Sequence, residues 1–177
     1  MMAEDNIPSQ TADRIAIMDL LYRYARSVDR IDKPLGHSVW HPHGVADYGD
    51  FFRGNGRDSI DLICDSHLHL AMTQHLVSNI VIDLNGDEAG SESCVFASLR
   101  REGPDGPVQL SVWGRYLDKW ARIDGQWGLV SRVSIMDMQD ARPATPFGSA
   151  GGTSRDHSDP SYAVLGGYPA GAGALAV

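Results

Sequence analysis

Residues 76–138 decide how this chain folds: LVSNIVIDL (76–84), ESCVFASLRRE (92–102), VQLSVWGRYLDKWARI (108–123) and QWGLVSRVSIMDM (126–138) follow one another with short breaks. The four runs are rich in β-branched and aromatic residues, which suit a pleated, half-buried surface. NGD (85–87), GPDG (103–106) and DG (124–125) separate them as turns. The pattern predicts a meander of long antiparallel strands.

Upstream the period changes from two to that of a helix. In TADRIAIMDLLYRYARSVDR (11–30), Ile17, Leu21, Tyr24 and Val28 form one apolar stripe, with Thr11 as N-cap and an end near residues 29–32. Pro34 can open a short second helix that Pro42 closes. VADYGDFFRGNG (45–56) suits a hairpin, and RDSIDLICDSHLHLAM (57–72) repeats Ile60, Ile63, Cys64 and Leu68 at helical intervals. Helices first and a curled sheet afterwards imply an α+β fold, a curved antiparallel sheet wrapped by N-terminal helices around a cone-shaped apolar pocket. The expected organisation is an N-terminal arm (1–11), one domain (12–138) and a Gly/Ala/Pro-rich tail (139–177), either disordered or packed over the pocket or a neighbouring subunit through Tyr162, Leu165 and Tyr168.

Composition narrows the function classes. With 177 residues, 42% apolar and 21% charged, the chain is long enough for one core. A net charge of -8 without a basic cluster argues against nucleic acid and anionic membranes as partners. Two cysteines outside any C-x-x-C pattern, and no apolar run long enough to span a bilayer, lead us to expect a cytoplasmic protein. His41, His43 and Asp47, and the pair His67 and His69, invite a metal reading. His67 and His69, two apart on a helix, diverge, and although His41 and His43 straddle Pro42 and could share one side of a turn with Asp47, no metal site is expected.

DRIAIMDLLYRYARSVDR (13–30), WHPHGVADYG (40–49), GRDSI (56–60), TQHLVSN (73–79), SESCVFAS (91–98) and VWGRYLDKWARIDGQWGLVSR (112–132) together resemble the SnoaL-like group of the nuclear transport factor 2-like superfamily. That group holds scytalone and bile-acid dehydratases, hexachlorocyclohexane dehydrochlorinase, diarylpropane formaldehyde lyases, polyketide cyclases and plain binding proteins, so fold alone does not choose a reaction. The resemblance implies a deep apolar cavity, no cofactor, and a homodimer or homotrimer. It also implies roles: the aspartate at the end of the first helix and the histidine of a T-x-H segment are matched by Asp29 and His75. Tyr24 and Arg132 match a tyrosine and an arginine of the bile-acid dehydratases. The chain departs from the pattern at Ala46 or Asp47, where the dehydrochlorinase has a pocket tryptophan, and at His43, where an acidic residue is common.

Each of these side chains can do the chemistry. An imidazole titrates near neutral pH, and a carboxylate on its far nitrogen fixes the tautomer and stabilises the imidazolium that forms. His75 is the candidate general base and Asp29 its partner. Tyr24 is the candidate proton donor and Arg132 the candidate stabiliser of oxyanion charge, with Asp118 or Asp137 as alternative in-sheet partners. By two-residue alternation Val130, Arg132, Ser134, Met136 and Met138 share one face. Tyr48, Phe51, Trp113, Tyr116, Met136 and Asn79 are the candidate substrate contacts, and so many aromatic rings favour an aromatic substrate. The expected function is a cofactor-independent lyase that eliminates water or formaldehyde from a hydrophobic, lignin-derived diaryl or polycyclic compound. A non-catalytic small-molecule-binding protein, or an isomerase or cyclase on the same pocket, stays open as an alternative.

Overall fold

The computed structural model describes residues 7–145 and 154–165. Helix α1 (Ile7–Arg30) is followed by α2 (Lys33–Val39), strands β1 (Trp40–Asp47) and β2 (Arg53–Asn55), and helix α3 (Gly56–His67). The meander then runs as β3 (Met72–Asn85), β4 (Glu88–Arg101), β5 (Val108–Ile123) and β6 (Gln126–Pro143), and a short α4 (Pro160–Val164) lies in the C-terminal segment. The six strands form one open sheet in the order β2-β1-β6-β5-β4-β3. It is mixed, because β1 runs parallel to β6 while every other pair is antiparallel.

The termini of these elements follow local chemistry. α1 begins at Ile7, ahead of the expected Thr11, and β6 continues five residues past Met138 because its pairing with β5 holds as far as Pro143↔Val108. α3 stops at His67, short of the expected Met72, which already opens β3 opposite Arg100. Asp32 caps α2 by accepting from the Leu35 N–H, and Asn55 caps α3 by accepting from Arg57. α2 ends at Val39 rather than at Pro42, which is part of β1.

α1 ends in a Schellman turn, with the Asp32 N–H reaching the Ser27 carbonyl at 2.8 Å. The residue at its left-handed position is Ile31, φ 55°, where glycine is usual. A β-branched side chain there costs about 1–2 kcal/mol, so the surrounding packing must hold it. The turn leaves Asp29 in the last turn of α1 and Asp32 free to start α2.

The core lies between the helices and the inner face of the sheet. Ile17, Leu21, Tyr24 and Val28 of α1 meet Ile60 and Cys64 of α3, and Trp40, Trp120 and Leu129 of the sheet, all nearly inaccessible. Each such side chain contributes about 1.5–3 kcal/mol by leaving water. Cys64 is buried, and burial pushes its thiol up to about 11, so it is packing rather than a nucleophile. No helix among the described residues is long and apolar enough to cross a membrane.

Two bulges in β6 break the simple alternation expected of it. Between Lys119↔Ser131 and Trp120↔Leu129, Val130 has no partner, and between Trp113↔Met138 and Gly114↔Met136, Asp137 has none. Arg132, Ser134 and Met136 therefore still share the inner face, while Val130 at one bulge and Met138 beyond the other do not. Arg132 is fully buried in a bidentate pair with Asp118, both contacts 2.7 Å, while Asp137 pairs with Arg115 instead. Burial opposes the charge on Arg132, but the Asp118 carboxylate outweighs it and holds the guanidinium well above its ordinary value. Removing one partner strands the other. We expect Asp118→Ala to lower the unfolding free energy by about 3–5 kcal/mol, measured by urea denaturation, and Asp118→Ala combined with Arg132→Met to recover much of that loss.

Candidate active site

A cavity of about 420 Å³ opens between the helices and the concave face of the sheet. Helix α1 supplies Tyr24 and Val28 to its wall, α3 supplies Ile63 and His67, and β3 supplies His75. Strands β4 and β5 line it with Val95, Ala97, Val112, Gly114 and Tyr116, residues two apart on each strand and hence on one face. Gly114 sits at the Asp137 bulge, where a Cβ would come within 2.2 Å of the Ile135 carbonyl oxygen, so no side chain fits there. The turn after β1 adds Tyr48 and Phe51, the latter 52% exposed at the rim.

Asp29 stands behind His75 and grips it twice. Its Oδ1 lies 2.7 Å from His75 Nδ1, and its Oδ2 accepts the His75 backbone N–H at 2.8 Å. An ionised carboxylate only accepts, so Nδ1 carries the ring hydrogen and Nε2 holds the lone pair. Nε2 bonds to no described residue, and His75 lines the cavity. The two side chains are each 11% exposed, so the pair is nearly withdrawn from solvent.

A second polar pair faces the dyad. The Tyr24 and Tyr48 hydroxyls are 2.6 Å apart. Burial, then the neighbouring Tyr48 and Tyr116, raise the Tyr24 hydroxyl well above an ordinary phenol, so it stays protonated and able to donate. Arg132 lies behind this pair: its guanidinium carbon is 4.1 Å from the Tyr24 ring centre and 3.9 Å from that of Tyr116. Arg132 does not line the cavity, contrary to its expected place among apolar wall residues.

Of the expected substrate contacts, Tyr48, Phe51, Tyr116 and Met136 do line the cavity. Trp113 does not: it lies three residues before Tyr116 on β5, on the opposite face, where it packs against Phe96 with ring centres 5.2 Å apart. Asn79 also falls outside. It sits at the β3 bulge with φ 49°, exposed, and its side-chain amide points to Cys94 Sγ at 3.8 Å. Among the described residues no group of three or more His, Cys, Asp or Glu is placed to hold a metal ion, and His41 instead contacts the Ala121 carbonyl.

Two residues of the site escaped the sequence reading. His67 was weighed only as a metal ligand, although its spacing from Ile60 and Cys64 puts it on the buried face of α3. It lines the cavity at 7% exposure, stacked on His75 with ring centres 5.7 Å apart. The other is Arg155, from the C-terminal segment, for which no sequence signal exists. Its guanidinium donates to the carbonyls of Asp29, His67 and Leu70 and to the Thr73 hydroxyl, tying the ends of α1 and α3 to the start of β3. Nearby, Tyr162 donates to Asp32 at 2.9 Å, Leu165 is 36% exposed, and Tyr168 lies outside the described residues.

Burial, with a smaller opposing effect from the Val28 carbonyl, lowers the His67 pKa from 6.5 to about 4. The unfolded chain therefore takes up a proton that the native state refuses. The stability His67 confers is complete above about pH 6.5 and falls as pH drops toward 4. At pH 4.5 that loss amounts to about 2–3 kcal/mol. We expect urea unfolding at pH 7.5 and 4.5 to show a gap smaller by roughly this amount in His67→Gln than in the unsubstituted protein.

Comparison with known proteins agrees with this architecture. A protein from Novosphingobium aromaticivorans provisionally assigned as a scytalone dehydratase is 26% identical, covers 81% of this chain and 98% of its own, and superposes with a TM-score of 0.65. A type 2 hexachlorocyclohexane dehydrochlorinase is 18% identical, with 80% and 97% covered and a TM-score of 0.71. The Kfla4162 protein of Kribbella flavida is 22% identical, with 74% and 95% covered and a TM-score of 0.68. No curated protein sequence is a match. The profile of the SnoaL-like domain matches residues 9–133, which run from α1 into the first half of β6 and hold both halves of the dyad, and the chain belongs to the SnoaL-like family.

Proposed function

We propose that the protein is a cofactor-independent lyase acting on a hydrophobic, aromatic small molecule, with His75 as general base. One observation carries this reading: His75 borders a ligand-sized cavity with Nε2 unengaged, while Asp29 holds Nδ1 at 2.7 Å. A merely structural Asp–His pair has no need to face such a space. Two of the similar structures, one provisionally assigned as a dehydratase and the other a dehydrochlorinase, favour elimination over the binding-protein alternative.

In this reading the Nε2 lone pair takes a proton from a substrate carbon. The electrons left behind form the new double bond as the neighbouring carbon–oxygen bond breaks. The departing oxygen takes a proton from the Tyr24–Tyr48 hydroxyl pair and leaves as water. The phenolate so formed recovers its proton from the imidazolium, which restores both groups. Asp29 stabilises the imidazolium in the interval. Arg132 acts through the two rings it touches, its charge favouring the transient phenolate, and is a positioning residue rather than a proton donor. The apolar walls keep water out and strengthen each of these interactions.

A formaldehyde-releasing variant uses the same groups. There Nε2 takes the proton of a hydroxymethyl group, its carbon–carbon bond breaks to give formaldehyde, and the adjacent hydroxyl leaves as before. A turnover screen on hydroxylated diaryl and polycyclic compounds, following alkene absorbance beside a formaldehyde assay, separates the two. We expect His75→Ala to lower kcat/KM by about two to four decades, and Tyr24→Phe by about two. Full activity in His75→Ala on a turned-over substrate would exclude this mechanism.

A further inference from the structure

The dyad accounts for one of the two imidazoles in the cavity wall. His67, parallel to His75 within 23°, remains without a role. Its Nδ1 lies 3.0 Å from the Val28 carbonyl oxygen. A carbonyl only accepts, so Nδ1 must carry the ring hydrogen and Nε2 must present a lone pair. The His67 backbone carbonyl is also held, by Arg155 at 2.8 Å, so the C-terminal turn of α3 carrying the ring is anchored from both sides. Nε2 has no hydrogen-bond partner among the described residues, and the residue, 7% exposed, borders the cavity. An acceptor fixed on the wall of a largely apolar cavity finds its partner in what enters.

We propose that His67 is a substrate-recognition residue whose Nε2 accepts a hydrogen bond from a phenolic or alcoholic hydroxyl, so that the site selects hydroxylated aromatic compounds over their methyl ethers. The inference rests on the lyase reading of this cavity and adds to it a second fixed point on the ligand. With the ring centres 5.7 Å apart, the hydroxyl held by His67 belongs to the same molecule that gives His75 its proton, a few bonds away. Two parallel acceptors also disfavour ligands that bring only acceptors, such as ethers and carboxylates, because lone pairs would then face lone pairs. A methyl ether keeps the ring and the size but cannot donate, and it leaves Nε2 unsatisfied.

Calorimetric titration of the full chain with 2-naphthol and 2-methoxynaphthalene tests this directly. We expect 2-naphthol to bind about tenfold tighter, the effect of one good hydrogen bond. The preference should fall to within twofold in His67→Phe and persist in His75→Phe. A second readout needs no variant: in the protein labelled with nitrogen-15, the His67 Nε2 resonance should move on saturation with 2-naphthol and stay in place with the ether. A preference that survives His67→Phe, that disappears only in His75→Phe, or that arises without movement of the His67 resonance overturns the inference and leaves the lyase reading standing. Failure of both compounds to bind, together with absence of turnover in the diaryl and polycyclic screen, overturns both.

Discussion

A single carboxylate joins the first helix to the third strand. Asp29 accepts a backbone N–H from β3 with one oxygen and the imidazole of the same residue with the other, so the contact that docks the helix also aims the base. Most of the surrounding architecture serves that geometry. The Schellman turn at Ile31 places Asp29 in the final helical turn, Arg155 ties the ends of α1 and α3 to the start of β3, and the α1 stripe from Ile17 to Val28 seats the helix on the sheet. Because structure and chemistry share these atoms, damage to one reaches the other.

A second buried constraint stands on the far side of the cavity. The Arg132–Asp118 pair sets a cation behind the faces of two tyrosines without exposing it to the ligand. Both ionised partners are fully desolvated, a costly arrangement in a core that apolar residues would fill more cheaply. Its return is electrostatic: the ring faces of Tyr24 and Tyr116 rest against a fixed positive charge. The cavity is thus bounded by an acceptor-rich wall of imidazoles and a donor-rich wall of phenols. A ligand that gives up a proton at one side and takes one at the other fits that polarity.

The fold was legible because its signals are periodic. The helical stripe of residues 11–30, the alternating runs of 76–138 and their Gly-containing turns predict the α+β meander, and the structure shows it as a curved sheet of six strands with helices on its inner face. The parallel pairing of β1 with β6 had no local signal, since it joins segments far apart in sequence. Within the site, Asp29 and His75 were legible through family resemblance, and the structure brings them together. Trp113 stands an odd number of residues from Tyr116 and Asn79 sits at a bulge, and bulges are set by pairing rather than by composition; Arg132 keeps the face of Ser134 and Met136 but is turned into its pair with Asp118. His67 lay in plain view on the apolar stripe of α3. Arg155, by contrast, sits in a Gly- and Ser-rich segment where nothing announces a half-buried guanidinium.

The left-handed Ile31 bears on how this chain can vary in length. Each helical residue turns the next by about 100°, so one insertion between Val28 and the end of α1 would swing the carboxylate off the imidazole by more than a quarter turn. An ordinary helix absorbs such a change by fraying or lengthening at its end. Here the end is held at a single residue by a backbone conformation that a β-branched side chain adopts reluctantly, and Asp32 is already committed to starting α2. The helix therefore has a phase as well as a length: tolerated insertions must lie toward its N-terminus, before the packed stripe begins at Ile17.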